Sequence, residues 1–223
     1  MKLSKFLPIG LAAGAILLAG QAIAGPILYD VNDIGTNNTL ANATAVNLNN
    51  INGVTFTGVG GVILDDRDRG TANTDGAGGD TANNDMWRDF IFADERGVTV
   101  GSPAGIDVTI SGLAANMLYD VRLWAFDDLS NGGRNMTWNG VPLNLPNSPD
   151  PASLDSQVAL FQGMSNSSGE LLLEGRIGSP EGTCCNVFVN GFELNAVPEP
   201  SILALMGFGL AGLVLTRRRK AQA

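Results

Sequence analysis

The chain contains no histidine. That excludes serine–histidine–aspartate and cysteine–histidine catalysis, and histidine-ligated zinc with them. Lysine is confined to the two ends, at Lys2, Lys5 and Lys220. Between Gly25 and Ala196 the only cations are seven arginines, set against 21 acidic residues, a net charge of −14. So acidic a segment stays soluble and lacks the basic footprint that nucleic-acid binding requires. Cysteine is limited to the adjacent pair Cys184 and Cys185. The spaced C-x-x-C arrangement of a catalytic dithiol is therefore missing. No part of this segment shows a sustained helical period, so an all-α fold is not expected.

Both ends of the chain carry targeting features. Residues 1–24 begin with Lys2 and Lys5, continue through an apolar stretch from Phe6 to Leu18, and end in Ala22-Ile23-Ala24. This is the basic, apolar and small-residue order of a secretory signal peptide, with cleavage expected after Ala24. Export would run through the Sec translocon.

Residues 197–223 read VPEPSILALMGFGLAGLVLTRRRKAQA. Pro198, Glu199 and Pro200 precede an apolar run from Ile202 to Leu215, and Arg217, Arg218, Arg219 and Lys220 follow. Two prolines fix φ and remove backbone donors, so the triplet should be extended and accessible. The 14-residue run makes about 21 Å of helix, short for a hydrocarbon core of about 30 Å. Flanking residues over about 201–216 and snorkelling arginines would extend it, and the 217–220 cluster should stay cytoplasmic. The tail resembles the PEP-CTERM sorting signal of Gram-negative bacteria. The resemblance implies an exosortase-type protease as partner and cleavage near Pro198–Pro200. It also implies passage through the inner membrane and delivery to the cell surface or extracellular matrix. A plain membrane anchor is the alternative.

The remaining segment, 25–196, is one domain's worth of chain. Short alternating apolar runs recur between Gly- and Asn-rich punctuation, which reads as all-β. Ile106, Val108 and Ile110 share one face of a strand. Along Tyr119–Phe126, Tyr119, Val121, Leu123 and Ala125 face one way, and Asp120, Arg122, Trp124 and Phe126 the other. Leu171, Leu173 and Ile177 form a further inward set, and Val187 and Val189 share a face near the end. Earlier strands are expected at Ile27–Val31, Val54–Val59, Val62–Leu64 and Gln157–Phe161, with a helical turn around Asp85 to Phe90. Such patterning predicts an antiparallel β-sandwich. The later order of YDVRLWAFDD, GRNMTWNG with its Asn139-Gly140 turn, SSGELLLEGRI and NVFVNGFEL resembles a galactose-binding-like or malectin-like jelly roll over roughly Ile106 to Leu194. Domains of that kind bind glycans through end loops or a concave face.

Three features could carry chemistry. Asp65, Asp66, Asp68, Asp75 and Asp80 lie in a Gly- and Asn-rich segment that supplies oxygen ligands of the sort calcium takes, yet fits neither the EF-hand spacing nor the G-G-x-G-x-D repeat. A solvated acidic loop is the alternative. Trp124 and Phe126 share a face with Arg122 and Asp120, the mixture of ring and charge that holds a sugar. The alternative is that a loop covers the rings and makes them core. Cys184 and Cys185 are too close in sequence for an ordinary disulfide, because adjacent Cα atoms lie about 3.8 Å apart and disulfides span about 4.4–6.8 Å. A vicinal bond on a distorted turn, an intermolecular bridge, or two free thiols remain open. The expectation is an exported β-sandwich, not an enzyme, that binds extracellular polysaccharide. A self-associating coat protein is the second reading and a carboxylate-based glycan hydrolase or lyase the third.

Overall fold

The computed structural model describes residues 25–34, 39–70, 81–96, 101, 103–127, 134–145, 151–178 and 187–198. The expected signal peptide (1–24) and the expected transmembrane segment and basic tail (about 201–220) fall outside the described residues. Ala24–Pro198 forms one compact unit. Its strands are β1 (Ile27–Val31), β2 (Thr44–Val46), β3 (Val54–Val59), β4 (Ile63–Asp68), β5 (Asp89–Asp94), β6 (Gly105–Ile110), β7 (Leu118–Trp124), β8 (Arg134–Trp138), β9 (Val141–Leu145), β10 (Val158–Met164), β11 (Leu171–Ile177), β12 (Phe188–Val189) and β13 (Gly191–Ala196). One short helix, α1 (Asn84–Arg88), precedes β5.

The first sheet runs β10-β7-β13-β1-β2 and the second β3-β6-β11-β8-β9. A third, smaller sheet runs β12-β5-β4. Every described pairing is antiparallel except β1 with β2, which is parallel. Inward residues of all three sheets, among them Tyr29, Val108, Leu123, Trp138, Leu173, Phe188 and Phe192, merge into one apolar core. The predicted alternation is borne out: in β7, Tyr119, Val121 and Leu123 are buried while Asp120 is exposed. Asn139 and Gly140 both take positive φ (47° and 80°), the two-residue turn that joins β8 to β9.

Two differences from the expected pattern have physical causes. The helical turn ends at Arg88, and Asp89 and Phe90 open β5 instead. Five of the six residues of β5 are buried, so both of its faces lie inside and no alternation marks it. The outer face of the first sheet is likewise not wholly outside. Met86, Trp87, Trp124 and Phe126 form a second buried cluster there, packed against Leu28, Leu40, Leu154 and Val158. Trp87 and Phe126 meet edge to face, with ring centroids 6.3 Å apart.

Asn190 holds this cluster to the sheet. It is fully buried. Its Nδ2 donates to the carbonyls of Trp87 and Asp89, both at 3.1 Å, and its Oδ1 accepts the Phe126 N–H at 2.7 Å. Its backbone N–H donates to Trp124 O at 2.9 Å, and its carbonyl accepts the Val31 N–H at 2.8 Å. The next residue must be glycine: a Cβ on Gly191 would sit 2.4 Å from Met86 Sδ and 2.6 Å from Tyr29 O.

Asp30, also fully buried, is the one acid of β1. Its Oδ2 accepts the Leu40 N–H at 2.5 Å, while its Oδ1 has no hydrogen-bond partner among the described residues. Burial, followed by the nearby charges of Asp89 and Asp85, raises its pKa from 3.8 to about 8, despite the opposing Leu40 hydrogen bond.

Two measurements follow. Asn190→Ala strands one buried N–H and two buried carbonyls, and should cost about 3 kcal/mol, a fall of roughly 6–12 °C in Tm by scanning calorimetry. An unchanged Tm would show that water replaces the amide. For Asp30 the folded state holds its proton to higher pH than the unfolded chain does. Its stabilising contribution is therefore complete below about pH 4 and is lost as pH rises towards about 8. Asp30→Asn keeps an oxygen for the Leu40 N–H and should flatten this decline in urea denaturation followed from pH 5 to about pH 8.5. Identical slopes in both proteins would show that Asp30 is ionised throughout.

Candidate functional site

The outer face of the first sheet is divided. Alternation places Asp120, Arg122 and Trp124 of β7, Leu160, Gln162 and Met164 of β10, and Glu193 and Asn195 of β13 on it. Register sets Leu160 and Glu193 on either side of Arg122, and Gln162 and Asn195 on either side of Asp120.

The Trp124 end of this face is covered. Trp124 is 1% exposed and Phe126 2%. Trp124 Nε1 donates to Leu154 O at 2.7 Å, so the 151–157 segment lies across the ring. The expected ring platform is thereby corrected. Both rings are core beneath α1 and this segment, and neither offers a face to a sugar. Arg122 marks the boundary. Its Nη2 donates to Leu154 O at 3.0 Å and to Asp155 Oδ1 at 2.6 Å, and its guanidinium carbon lies 5.4 Å from the Trp124 ring centroid. Half its chemistry is thus spent on holding the covering segment.

Beyond Arg122 the face is open. A shallow hollow of about 360 Å³ lies along Asp120, Val121, Arg122, Leu160, Phe161 and Gln162. Gln162 Nε2 donates to Asp120 Oδ1 at 2.8 Å, which ties the amide to the carboxylate. Leu160 is 61% exposed beside this pair. The hollow therefore presents a carboxylate, an amide and part of a guanidinium next to an apolar patch. That combination can hydrogen-bond hydroxyls and cover a carbon–hydrogen face.

The acidic segment is different from expectation where it is described. Asp66 Oδ2 accepts the Ile34 N–H at 2.8 Å. Asp68 is paired with Arg88 through two hydrogen bonds, at 3.1 and 2.7 Å. That pairing, above all the Arg88 hydrogen bond, holds the Asp68 carboxyl below its usual pKa. Asp65 Oδ1 accepts the Asp66 N–H at 3.0 Å. Among the described residues no three acidic side chains come together as a metal site. The calcium reading is corrected for Asp68, whose two carboxylate oxygens are both taken by Arg88. Asp75 and Asp80 lie outside the described residues, as do Cys184 and Cys185.

Sequence reasoning missed Asp30 and Asn190. Asp30 sits where the alternation of ILYDV predicts an outward residue, and only the covering of that face buries it. The Asn190-Gly191 dipeptide beside a strand was the available signal, since that pair marks sharp turns and close backbone approaches.

At the chain's other functional feature, Val197 N–H donates to Leu118 O at 2.8 Å, and Pro198 is exposed. Glu199, Pro200, Arg217, Arg218 and Arg219 lie outside the described residues. Among the described residues no helix is long and apolar enough to cross a membrane.

No curated protein matches the chain. Solved structures give distant likenesses. A Bacteroides uniformis β-glucuronidase aligns at 13% identity over 77% of this chain, with TM-score 0.40. This chain spans 18% of that enzyme's length. The plant receptor-like kinase FER aligns at 13% identity over 78% of this chain and 42% of its own, with TM-score 0.41. A family 35 carbohydrate-binding module from Clostridium thermocellum aligns at 11% identity over 77% of this chain and 98% of its own, with TM-score 0.32. Residues 196–220 match the PEP-CTERM protein-sorting motif. The chain therefore carries a PEP-CTERM sorting motif, the mark of an exported protein that exosortase processes at the membrane.

Proposed function

We propose that this protein is a non-catalytic glycan-binding domain, delivered through the Sec translocon and the inner membrane to the cell surface or extracellular matrix, where it holds an exopolysaccharide. The observation that carries the reading is the open half of the outer sheet face, where the Asp120–Gln162 pair lies beside exposed Leu160. Glycan hydroxyls are matched by paired acceptors and donors at fixed spacing, and the sugar ring's apolar face by an aliphatic or aromatic surface. Asp120 and Gln162 are locked to each other, so little side-chain entropy is lost when a ligand binds. The net charge of −14 between Gly25 and Ala196 favours a neutral or cation-bridged polymer over a bare polyanion. The absence of histidine and the engagement of Arg122 by Asp155 favour binding over catalysis at the hollow.

Two outcomes are expected. Affinity electrophoresis through gels containing the host's own exopolysaccharide should retard the native protein, without release of reducing sugar. Asp120→Ala and Gln162→Ala should each weaken retention about 5- to 10-fold, the loss of one hydrogen bond to a charged or fixed group. Both positions are exposed, so Tm should hold within about 1 °C. Retention unaffected by either change would remove the hollow as the site. Separately, intact mass of the protein from the host's medium should end near Val197–Pro200. A full-length mass found only in membranes would mean that the tail is a plain anchor.

A further inference from the structure

Each sheet ends in edge strands, and most of these are protected. β4 carries Asp65, Asp66, Arg67 and Asp68. β9 contains Pro142. β2 and β12 have three and two residues. In β3 the chain folds back on itself, with Val62 O 2.6 Å from where a Cβ of Gly58 would be. Charge, proline, shortness and covering are the devices by which sheets avoid pairing with other chains. β10 is not short, and neither charge nor proline guards it. Its seven residues, VALFQGM, include no charge and no proline.

The direction of its backbone groups follows from its register. Ala125 N–H donates to Gln157 O and Ser165 N–H to Met117 O, so the odd-numbered residues of β10 bond to β7. The N–H and C=O groups of Leu160, Gln162 and Met164 therefore point away from the sheet. Among the described residues nothing accepts or donates to them. The side chains of these three residues stand on the open outer face, with Leu160 61% and Met164 64% exposed. An unpaired edge and two exposed apolar side chains thus coincide on one uncharged strand.

We propose that β10 is a self-association edge: two copies of this chain pair β10 against β10 in antiparallel fashion, joining their first sheets into one. The occupant is a second copy because the strand is complementary to itself. Antiparallel pairing centred on Gln162 faces Leu160 with Met164 of the second copy, and Met164 with Leu160, while the two Gln162 amides meet at the two-fold axis. This is an isologous contact, closed by its own symmetry. Charge gives the same answer. Two bodies of net charge −14 repel over most of their surface, and an uncharged strand is where their backbones can approach. The contact is narrow, so association is weak and rises with concentration. Pairing leaves Asp120 and Arg122 uncovered on the same face and does not depend on any glycan.

The test is sedimentation velocity of the protein as isolated from its host, from about 1 µM to about 1 mM, the range in which small interfaces respond. A reductant is present throughout to remove any bridge through Cys184 or Cys185. The weight-average mass should approach twice the monomer value. Gln162→Pro removes only an outward-facing N–H, and Leu160→Lys places a charge at the seam. Each should hold the protein at monomer mass with its Tm unchanged. Concentration-dependent slowing of amide hydrogen exchange at residues 160, 162 and 164 provides the same reading on the unmodified chain. A constant monomer mass with no such slowing would overturn the proposal, as would association that both variants leave intact.

Discussion

The buried cluster on the outer face of the first sheet is held by one buried amide. Asn190 lies between β12 and β13, and its side chain satisfies one N–H and two carbonyls that come from two separate stretches of chain. An apolar residue of the same size would leave three polar groups dry, each at a cost of about 1–3 kcal/mol. The neighbouring glycine lets α1 come down onto the sheet. Together they decide that Trp87, Trp124 and Phe126 pack as core, although the alternation of β7 assigns two of these rings to the outside.

That decision shapes the surface. With one end of the outer face roofed by α1 and the 151–157 segment, only the part beyond Arg122 reaches solvent. Arg122 stands at the divide, bound on one side to Leu154 and Asp155 and bordering the hollow on the other. The same roofing puts Asp30 in a dry environment close to Asp85 and Asp89. The structure tolerates this acid by keeping it protonated, since desolvation weighs more there than its single backbone hydrogen bond.

Much of the sandwich was legible from local pattern. β1 and β3 fall where alternation put them, and the Asn139-Gly140 turn joins β8 to β9, because a half-buried strand writes its faces into every second residue. β5 was not legible: its residues are buried on both sides, and DFIFAD then has no period to read. The candidate site was read half correctly. Asp120 and Arg122 do reach the open face, while Trp124 and Phe126 do not. Strand alternation tells which face a side chain takes, and long-range packing decides whether that face is covered. Gln162 and Leu160 became visible only through register, since they lie 38 residues or more beyond Arg122 in the chain and one strand away in space.

The strand that leads to the sorting motif is also the central strand of its sheet. β13 pairs with β7 on one side and β1 on the other, and its ladder with β7 runs to Ala196, two residues before the Pro-Glu-Pro triplet. β13 follows every other described strand in chain order. Until it docks, β1 and β7 have no common neighbour, and the first sheet is two separate pieces. The sandwich therefore cannot close while its C-terminal residues are still being synthesised or threaded. A chain threaded from its N-terminus through a membrane would complete this sheet only once the strand that leads to the cleavage motif had emerged, which would tie closure of the fold to the arrival of that motif.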